Sequence, residues 1–444
     1  MQPPKELLKT TRSRCPICHR DAPAEIFKRG SDPEEVWLSK VCPDHGRHEV
    51  CLATDSRFYW LSTGAESNGC GSGCACPASG DGAVGTLGAN AVRKGTPEDL
   101  STCLALIEIV DSCNLQCPTC FTDAPSGSAG SRLKYRPLPE LKKRIGEVLD
   151  RKGKVEILQL SGGEPTLHPD FFELLDWIHS EPRIDYCLLN TNGVRLARDC
   201  DFRTALGERA RRGNLQLYLQ YDGPQEKGQA ELRGGDLREM KHTVMEHCER
   251  ERIPFTLAMT VSELNLNHLW EAVELGLRFE TCRGVAFQPM FDSGRGGDFG
   301  RRLNAADIIL GCIGQSGNKV GPDDFTPLPC GDPNCAVIGY LIRSPEGVRS
   351  ISEFVDFSKL QGFLRDKVRY ELEDLTRCGC ENTELGGLLH QFEMTEKNAF
   401  RIFIKPFMDS WTWDQDRIDR CCTHVIRPDG RLDSFCRYYG SRPV

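Results

Sequence analysis

Three cysteines that follow an apolar run constrain this chain more than any other feature. Cys113, Cys117 and Cys120 are spaced C-x3-C-x2-C within the run CNLQCPTCF. A cubane iron–sulfur cluster normally takes four thiolates, so three thiolates in one tight loop leave one iron open to a small molecule. Zinc sites also use close cysteine pairs, but they favour C-x2-C pairs. The triplet therefore predicts a [4Fe–4S] cluster with one vacant corner.

Strand-like and helix-like segments alternate from residue 103 to residue 290. The predicted strands are CLALIEIV, VEILQL, DYCLLN, LQLYLQ, PFTLAMTV and GVAFQPM. Such alternation predicts a parallel sheet whose functional groups lie at the C-terminal ends of the strands. The predicted fold class is α/β: a partial (β/α)6 TIM-type barrel with an N-terminal β-rich metal-knuckle domain and a cysteine-rich C-terminal extension.

The residues at those strand ends resemble the radical S-adenosylmethionine (SAM) superfamily. The resemblance rests on the triplet, on Phe121 directly after it, and on the turn Gly162-Gly163-Glu164-Pro165. It implies that the open iron binds SAM and that SAM is cleaved to a 5′-deoxyadenosyl radical. The glycines would allow close backbone approach, and their carbonyls with Glu164 would accept hydrogen bonds from the SAM ammonium group.

Polar residues at three later strand ends are predicted to complete the cofactor site. Those expected at the ribose and carboxylate of SAM are Asn190, Thr191 and Asn192. Those expected to line either SAM or the substrate are Gln220, Asp222 and Gln288. Ordinary turn polarity at the end of a strand explains these residues almost as well.

A second metal site is predicted near the N-terminus, between about residues 14 and 60. The pairs Cys15/Cys18 and Cys42/His45 each lie beside a proline, and two strand-like runs separate them. Facing knuckles of this kind form a tetrahedral Cys3His site. The sequence leaves open whether the ion is zinc or a single iron, and whether Cys51 replaces His45.

Further cysteine groups predict auxiliary metal centres. The Gly-rich stretch from about 62 to 99 contains Cys70, Cys74 and Cys76, with Cys103 as a possible fourth ligand. The C-terminal extension offers Cys330, Cys335, Cys436 and either Cys421 or Cys422, while Cys378 and Cys380 are further ligands or surface thiols. The isolated cysteines predicted to be packing residues are Cys187, Cys200, Cys248, Cys282 and Cys312.

Composition limits the class of protein. The odd count of 23 cysteines, many of them closely spaced, indicates metal ligation and not a disulfide framework. Thiolates of this kind must stay reduced, so a cytoplasmic location is expected. The net charge of −8 argues against nucleic acid as a partner, and the sequence contains no membrane-spanning run, so at most peripheral membrane contact is expected.

Over nearly the full chain, the order of motifs is similar to that of the tetraether lipid synthase family. The segment 102–121 and the ending KPFMDSWTWD…RCCTH…PDGRL…FC carry this likeness. It implies a rubredoxin-like first site and two auxiliary [4Fe–4S] clusters. One cluster would be held by Cys70, Cys74, Cys76 and Cys103, and the other by Cys330, Cys335, Cys421 and Cys436. It also implies C–C bond formation between saturated carbons of lipid chains.

The sequence predicts four domains: residues 1–61, 62–102, 103–290 and 291–444. The predicted partners are a small-molecule or lipid substrate and reduced ferredoxin or flavodoxin as electron donor. Two other functions are kept: a radical SAM methyltransferase acting on a pterin or another small metabolite, and a non-catalytic iron–sulfur or zinc protein. An apolar channel would favour the lipid enzyme, and a short polar pocket would favour the pterin enzyme.

Overall fold

The computed structural model describes residues 5–60, 95–125, 133–296, 300–328, 331–344, 347–354 and 398–440. Its described strands form two sheets. The N-terminal sheet is antiparallel, with strands in chain order: β1 (Lys5–Arg14), β2 (Asp21–Arg29), β3 (Glu35–Cys42) and β4 (Gly46–Ala53). The two runs predicted as strands correspond to β2 and β3. Alternate residues of β2 are buried and exposed, as in a sheet with one covered face.

The second sheet contains the six predicted parallel strands in sequence order. They are β5 (Leu104–Val110), β6 (Val155–Gly162), β7 (Ile184–Thr191), β8 (Leu215–Gln220), β9 (Phe255–Val261) and β10 (Cys282–Pro289). Each strand pairs in parallel with the next. The predicted α/β partial barrel is therefore confirmed.

Helices connect these strands and cover the outer face of the sheet. They are α1 (Leu138–Lys152), α2 (Phe171–Ser180), α3 (Val194–Arg198), α4 (Cys200–Ala210), α5 (Glu226–Arg233), α6 (Arg238–Glu251) and α7 (Leu269–Leu277). In α1 the residues at positions 138, 141, 145, 148 and 149 are buried, which is the spacing of one helical face. This outer layer and the sheet form one continuous apolar core.

The C-terminal extension adds strands to both edges of the barrel sheet, which the sequence analysis did not predict. After α8 (Ala305–Gln315), the strands are β11 (Thr326–Pro327), β12 (Val337–Ser344), β13 (Gly347–Ser350), β14 (Ala399–Ile404), β15 (Thr423–Ile426) and β16 (Leu432–Ser434). β14 pairs in parallel with β10, whereas β15 pairs in parallel with β5. The short helices α9 (Gln415–Ile418) and α10 (Phe435–Gly440) flank β15 and β16.

The N-terminal sheet is docked on the segment that follows β14. Lys40 is buried, and its Nζ donates to the carbonyls of Ser410 and Trp411, both at 2.6 Å. Lys9 Nζ forms an ion pair with Asp414 at 2.7 Å. These bonds join the N-terminal sheet to the extension, which itself completes the barrel sheet.

Four of the five isolated cysteines are buried, as predicted for packing residues, but Cys200 is exposed. Cys200 is the first residue of α4, whereas the buried residues of that helix include Phe202 and Leu206. The packing role predicted for Cys200 is therefore wrong. Among the described helices, none combines the length and the apolar character needed to cross a bilayer.

Candidate active site

The cysteine triplet lies at the C-terminal mouth of the barrel. Cys113, Cys117 and Cys120 all line a cavity of about 340 Å³ that continues into the barrel. The loop is held by its own backbone: Cys113 N donates to Pro125 O at 3.0 Å, and Asp123 N donates to Cys120 O at 3.1 Å. The three thiols thus face one shared space at the end of β5.

Gly162 and Gly163 allow β6 to approach the backbone that leads into the triplet. Gly162 has φ +121°, and a Cβ there would clash with the Val110 carbonyl. A Cβ on Gly163 would clash with the carbonyl of Ser112, the residue directly before Cys113. Because no Cβ is present, two backbone hydrogen bonds form here: Gly163 N donates to Val110 O at 2.7 Å, and Glu164 N donates to Ser112 O at 3.0 Å. The two glycines therefore also position the cysteine loop.

Glu164 is buried, and its carboxylate accepts hydrogen bonds from other groups of the protein. Its Oε1 accepts from Thr166 Oγ1 at 2.7 Å and Thr191 Oγ1 at 2.8 Å, and its Oε2 accepts from Asn192 N at 2.8 Å. Burial raises the pKa of Glu164. This carboxylate ties β6 to β7, and Pro165 next to it begins a short 3-10 helix. Glu164 still lines the cavity together with Gly162 and Gly163, whose carbonyls are the acceptors predicted for an ammonium group.

Asn192 links the end of β7 to the cysteine loop. Its Nδ2 donates to Asn114 Oδ1 at 2.7 Å and lies 3.7 Å from Cys113 Sγ. Asn190 lies deeper, where it donates to Ser161 Oγ at 3.0 Å and accepts from Gln159. Both side chains line the cavity, where they were predicted to meet SAM.

Asp222 acts on the cavity through a neighbour. It is fully buried, and its carboxylate pairs with Arg233, which also donates to Thr260 Oγ1 at 2.9 Å. Gln220 donates to the same carboxylate. Arg233, the last residue of α5, lines the same cavity as Cys117. At the end of β8 the side chain that brings a positive charge to the cavity is therefore Arg233, and Asp222 holds it in place.

The side chain of Lys241 extends from α6 to the ends of β7 and β8. It is fully buried, and its Nζ donates to Asn192 O at 2.6 Å and Gln220 Oε1 at 2.7 Å. Burial lowers the pKa of Lys241 to about 7. The side chain fixes the ends of β7 and β8 relative to each other, at Asn192, predicted to meet SAM, and at Gln220, predicted to line either SAM or the substrate.

Arg233 and Lys241 were not predicted from the sequence. Arg233 lies 11 positions beyond Asp222 in a charged helix, and Lys241 lies in a helix whose outer face is also charged. Only the packing of α5 and α6 against the barrel distinguishes these two cations from solvent-exposed ones.

The number of thiols in the triplet and their position beside a cavity fit the predicted cluster. Burial, followed by the charges of Glu164, Cys117 and Cys120, raises the pKa of the Cys113 thiol to about 12. Thiols in such a setting deprotonate when a metal centre supplies positive charge. Three of them around a common cavity match a [4Fe–4S] cluster that keeps a free corner.

The N-terminal site brings together the predicted Cys3His set. The Sγ atoms of Cys15, Cys18 and Cys42 and a ring nitrogen of His45 all lie within 4.8 Å of one another. His45 Nδ1 is 3.6 Å from Cys15 Sγ and 3.5 Å from Cys42 Sγ. This compact set fits a tetrahedral ion. Cys51 lies outside the group on β4, which excludes it as the replacement for His45.

Three cysteines of the C-terminal extension, Cys335, Cys421 and Cys436, are close enough for their charges to interact. Burial, followed by the charges of Cys335 and Cys436, raises the pKa of the Cys421 thiol to about 12. Cys436 Sγ accepts from Met408 N at 3.4 Å. Cys422 Sγ would lie 3.3 Å from a Cβ added at Gly331, so the choice between Cys421 and Cys422 stays a prediction.

The remaining predicted ligands are only partly described. Cys103 is buried, and its backbone N donates to Cys422 O at 3.1 Å. The predicted ligands and candidates outside the described residues are Cys70, Cys74, Cys76, Cys330, Cys378 and Cys380. Both auxiliary clusters therefore stay predictions.

Comparisons with known proteins agree with this geometry. Residues 107–276 match the family model described as the radical SAM superfamily, and residues 7–54 match an HMPTM N-terminal zinc ribbon domain. The first segment contains the triplet and the Gly162–Pro165 turn, and the second contains the Cys3His set. The ribbon match indicates zinc for the N-terminal site.

Two curated relatives are enzymes. A 7,8-dihydro-6-hydroxymethylpterin dimethyltransferase from Methanocaldococcus jannaschii is 25% identical over 97% of this chain and 93% of that protein. A GTP 3′,8-cyclase from Vibrio cholerae is 27% identical over 37% of this chain, which spans 46% of that protein.

Among solved structures, SuiB from Streptococcus suis is 14% identical, with a TM-score of 0.39 over 50% of this chain and 49% of that chain.

The barrel segment matched by the family model holds the thiols, the glycine turn and the cavity that they share. The chain is therefore a radical SAM superfamily enzyme with a zinc ribbon ahead of its barrel.

Proposed function

We propose that this enzyme is a radical SAM methyltransferase that acts on a pterin or a heterocycle of similar size. The observation that carries the proposal is a set of polar side chains inside a cavity whose lining is otherwise largely apolar. Successive strands place amide and hydroxyl side chains in the cavity: Gln159, Asn190, Gln216, Tyr218, Gln220, Thr256, Thr260 and Gln288. A pterin ring presents donors and acceptors along its edge, which such groups can pair.

Hydrogen bonds between these polar side chains hold them in place. Tyr186 donates to Gln216 at 3.1 Å, and Gln216 donates to Thr256 at 2.7 Å. On the other side, Gln288 donates to the Tyr218 hydroxyl at 2.8 Å. Linked amides present fixed donors and acceptors, which suits the recognition of one polar heterocycle.

The cavity volume supports a small substrate. About 340 Å³ lies near the lower end of the range for small-molecule sites. The relative whose match covers most of both chains is named as a pterin dimethyltransferase, which also supports this proposal.

C–C bond formation on lipid chains, the function predicted from the motif order, is kept as the second candidate. Aromatic side chains line the cavity mouth, namely Phe121, Phe291, Phe407 and Phe435. An apolar wall of this kind favours an alkyl chain. The two candidates thus rest on different parts of the same cavity.

In either case the residues at the mouth would have the same roles. A cluster held by Cys113, Cys117 and Cys120 would supply the electron that cleaves SAM. The carbonyls of Gly162 and Gly163 would accept from the SAM ammonium group, and Arg233 would pair with the SAM carboxylate. The electron donor would be reduced ferredoxin or flavodoxin. The C-terminal thiols Cys335, Cys421 and Cys436 would hold an auxiliary cluster, with Cys330 as the fourth ligand.

Anaerobic turnover of the reconstituted full chain tests the proposal. The enzyme is given 7,8-dihydro-6-hydroxymethylpterin and a reductant, together with SAM labelled in its methyl group, and products are followed by mass spectrometry. The expected product is a pterin with one or two added methyl groups, and the label shows whether SAM supplies them. A parallel reaction contains lipid extract. Coupled lipid chains without any methylated pterin would contradict the proposal and support the second candidate.

A further inference from the structure

We propose that Tyr218 and Gln288 together recognise a cyclic amide of the substrate, an N–H beside a C=O within one ring. This inference deepens the proposed function, on which it rests for the identity of the ring. In a pterin the cyclic amide belongs to the pyrimidine half, so this is the edge of the substrate that would face β8 and β10.

Strand alternation places both side chains in the barrel cavity. On β8, Tyr218 and Gln220 line the cavity, whereas Leu217 and Leu219 are fully buried on the opposite face. Gln288 lines the cavity from β10. Tyr218 and Gln288 are only partly buried, so the part of each side chain that stays accessible faces the cavity.

The strand between them lets the two side chains meet. β9 lies between β8 and β10, and Tyr218 is in register with Thr256, whereas Gln288 is in register with Thr260. Ala258 lies between these threonines on the same cavity-lining face. Strands two apart in a sheet are separated by about 10 Å, and a residue as short as Ala258 leaves room for the side chains to meet above it. Gln288 Nε2 donates to the Tyr218 hydroxyl at 2.8 Å.

This hydrogen bond leaves one donor and one acceptor for a ligand. Gln288 uses its Nε2, and Tyr218 uses a lone pair of its hydroxyl oxygen. Among the described residues, no group accepts from the Tyr218 O–H and none donates to Gln288 Oε1. Burial raises the pKa of the Tyr218 hydroxyl above its ordinary value, so the hydroxyl keeps its proton. A held O–H donor therefore lies next to a held C=O acceptor.

Two other glutamines of the lining have both ends of their amides paired. Gln216 donates to Thr256 and accepts from a tyrosine hydroxyl. Gln220 accepts from Lys241 and donates to Asp222. The pair on β8 and β10 is therefore better placed to bind a ligand than these two amides are.

A cyclic amide complements the pair, because its C=O can accept from Tyr218 and its N–H can donate to Gln288 Oε1. The rest of the lining is largely apolar, so a ring edge with the reverse order of donor and acceptor would leave buried polar groups unpaired. Sites that pair a polar group of the substrate reject an analogue without that group far more strongly than apolar pockets reject a missing methylene. Tyr218 and Gln288 would thus determine specificity for the ring.

The edge of adenine also carries a donor and an acceptor, so SAM is the competing occupant of this pair. Depth in the barrel favours the substrate. Tyr218 lies two residues before Gln220, the last residue of β8, and is therefore about 7 Å deeper. The glycines expected to meet SAM, Gly162 and Gly163, lie at the end of β6. SAM would bind at the mouth, and the substrate ring would bind one layer of side chains below it.

Calorimetric titration of the anaerobically reconstituted full chain with two heterocycles tests the inference. 7,8-Dihydro-6-hydroxymethylpterin carries the cyclic amide, whereas its 2,4-diamino analogue has an amine in place of the carbonyl and no N–H beside it. The wild type is expected to bind the pterin at least about tenfold more tightly than the analogue. Tyr218→Phe and Gln288→Leu should each weaken pterin binding about tenfold and reduce the preference, with little effect on the analogue.

Tyr221→Phe is the matched control. Tyr221 follows β8 and packs in the apolar core, outside the cavity lining, so this variant should bind both heterocycles as the wild type does. Every variant is also titrated with SAM, whose affinity should not change. Thermal melts and iron content verify that each variant is folded.

The outcomes separate this inference from the proposed function. No preference in the wild type, or an unchanged preference in Tyr218→Phe and Gln288→Leu, would overturn the inference even if the pterin is methylated. Loss of affinity for SAM in place of the pterin would also overturn it and would assign the pair to adenine. A preference that depends on both residues, without any pterin methylation, would leave the recognition of the cyclic amide standing and remove the proposed reaction.

Discussion

The zinc ribbon and the barrel mouth both offer cysteine thiols as metal ligands, but the two sites have different roles. Each has three closely spaced cysteines. In the ribbon a fourth ligand, His45, lies within 4.8 Å of the other ligand atoms. At the barrel mouth the three thiols line a cavity of about 340 Å³. The comparison teaches that a closed ligand set makes a structural site. Three thiols beside a cavity, with no fourth thiol among the described residues that line it, instead suit a reactive site.

The backbone explains the difference. In the ribbon, antiparallel β3 and β4 bring Cys42 and His45 back to the first knuckle, so the four ligands face one another. At the barrel mouth, the loop that carries Cys113 follows a parallel strand, and its neighbours are the ends of other parallel strands. Those ends supply amides and glycines, not a fourth thiol.

Substitution of one cysteine at each site gives the largest effect and separates the two roles. Cys117→Ala is expected to abolish 5′-deoxyadenosine formation, because it removes a ligand from the cluster that binds SAM, and to leave zinc bound. Cys18→Ala is expected to lose zinc and to retain iron at the triplet. Chromatography of 5′-deoxyadenosine and elemental analysis measure both results. Continued SAM cleavage by Cys117→Ala would break the comparison.

Gly163→Ala tests how closely the barrel mouth must be packed. Because the added Cβ would clash with the Ser112 carbonyl next to Cys113, we expect a several-fold loss of cluster incorporation, read from iron content and the absorbance of the reconstituted protein. Gly146→Ala in α1 is the control, since its Cβ would meet no atom within 4 Å. That substitution should stabilise the protein by about 1 kcal/mol. Normal cluster content in Gly163→Ala would show that the loop can move aside.

Lys40→Met probes the docking of the ribbon and has the smallest expected effect. It leaves the Ser410 and Trp411 carbonyls without the Lys40 ammonium group, at a cost of about 2 kcal/mol in the free energy of unfolding. Denaturant titration measures this value, and zinc and iron contents should not change. Lys28→Met is the control, because Lys28 on β2 makes only a partly exposed pair with Glu34 at 3.1 Å. Equal stability of the two variants would show that the ribbon docks without Lys40.

Much of the barrel could be predicted from the sequence. The six strands were predictable because strand-like runs alternate regularly with helix-like segments, and the triplet and the glycine turn were recognisable because ligand spacing and glycine are local requirements. Cys200 was misjudged for the opposite reason: an isolated cysteine in a helix carries no local signal of the direction in which it faces.

The sequence by itself determined which thiols come together within single loops and where each parallel strand ends. Only the tertiary structure decided that β14 and β15 extend the two edges of the barrel sheet and that Asp222 acts through Arg233. It also decided that the buried Lys241 joins the ends of β7 and β8. The physical reason is range. Ligand spacing and strand character are set by neighbours along the chain, whereas the partners of a cation are set by segments that meet only after folding.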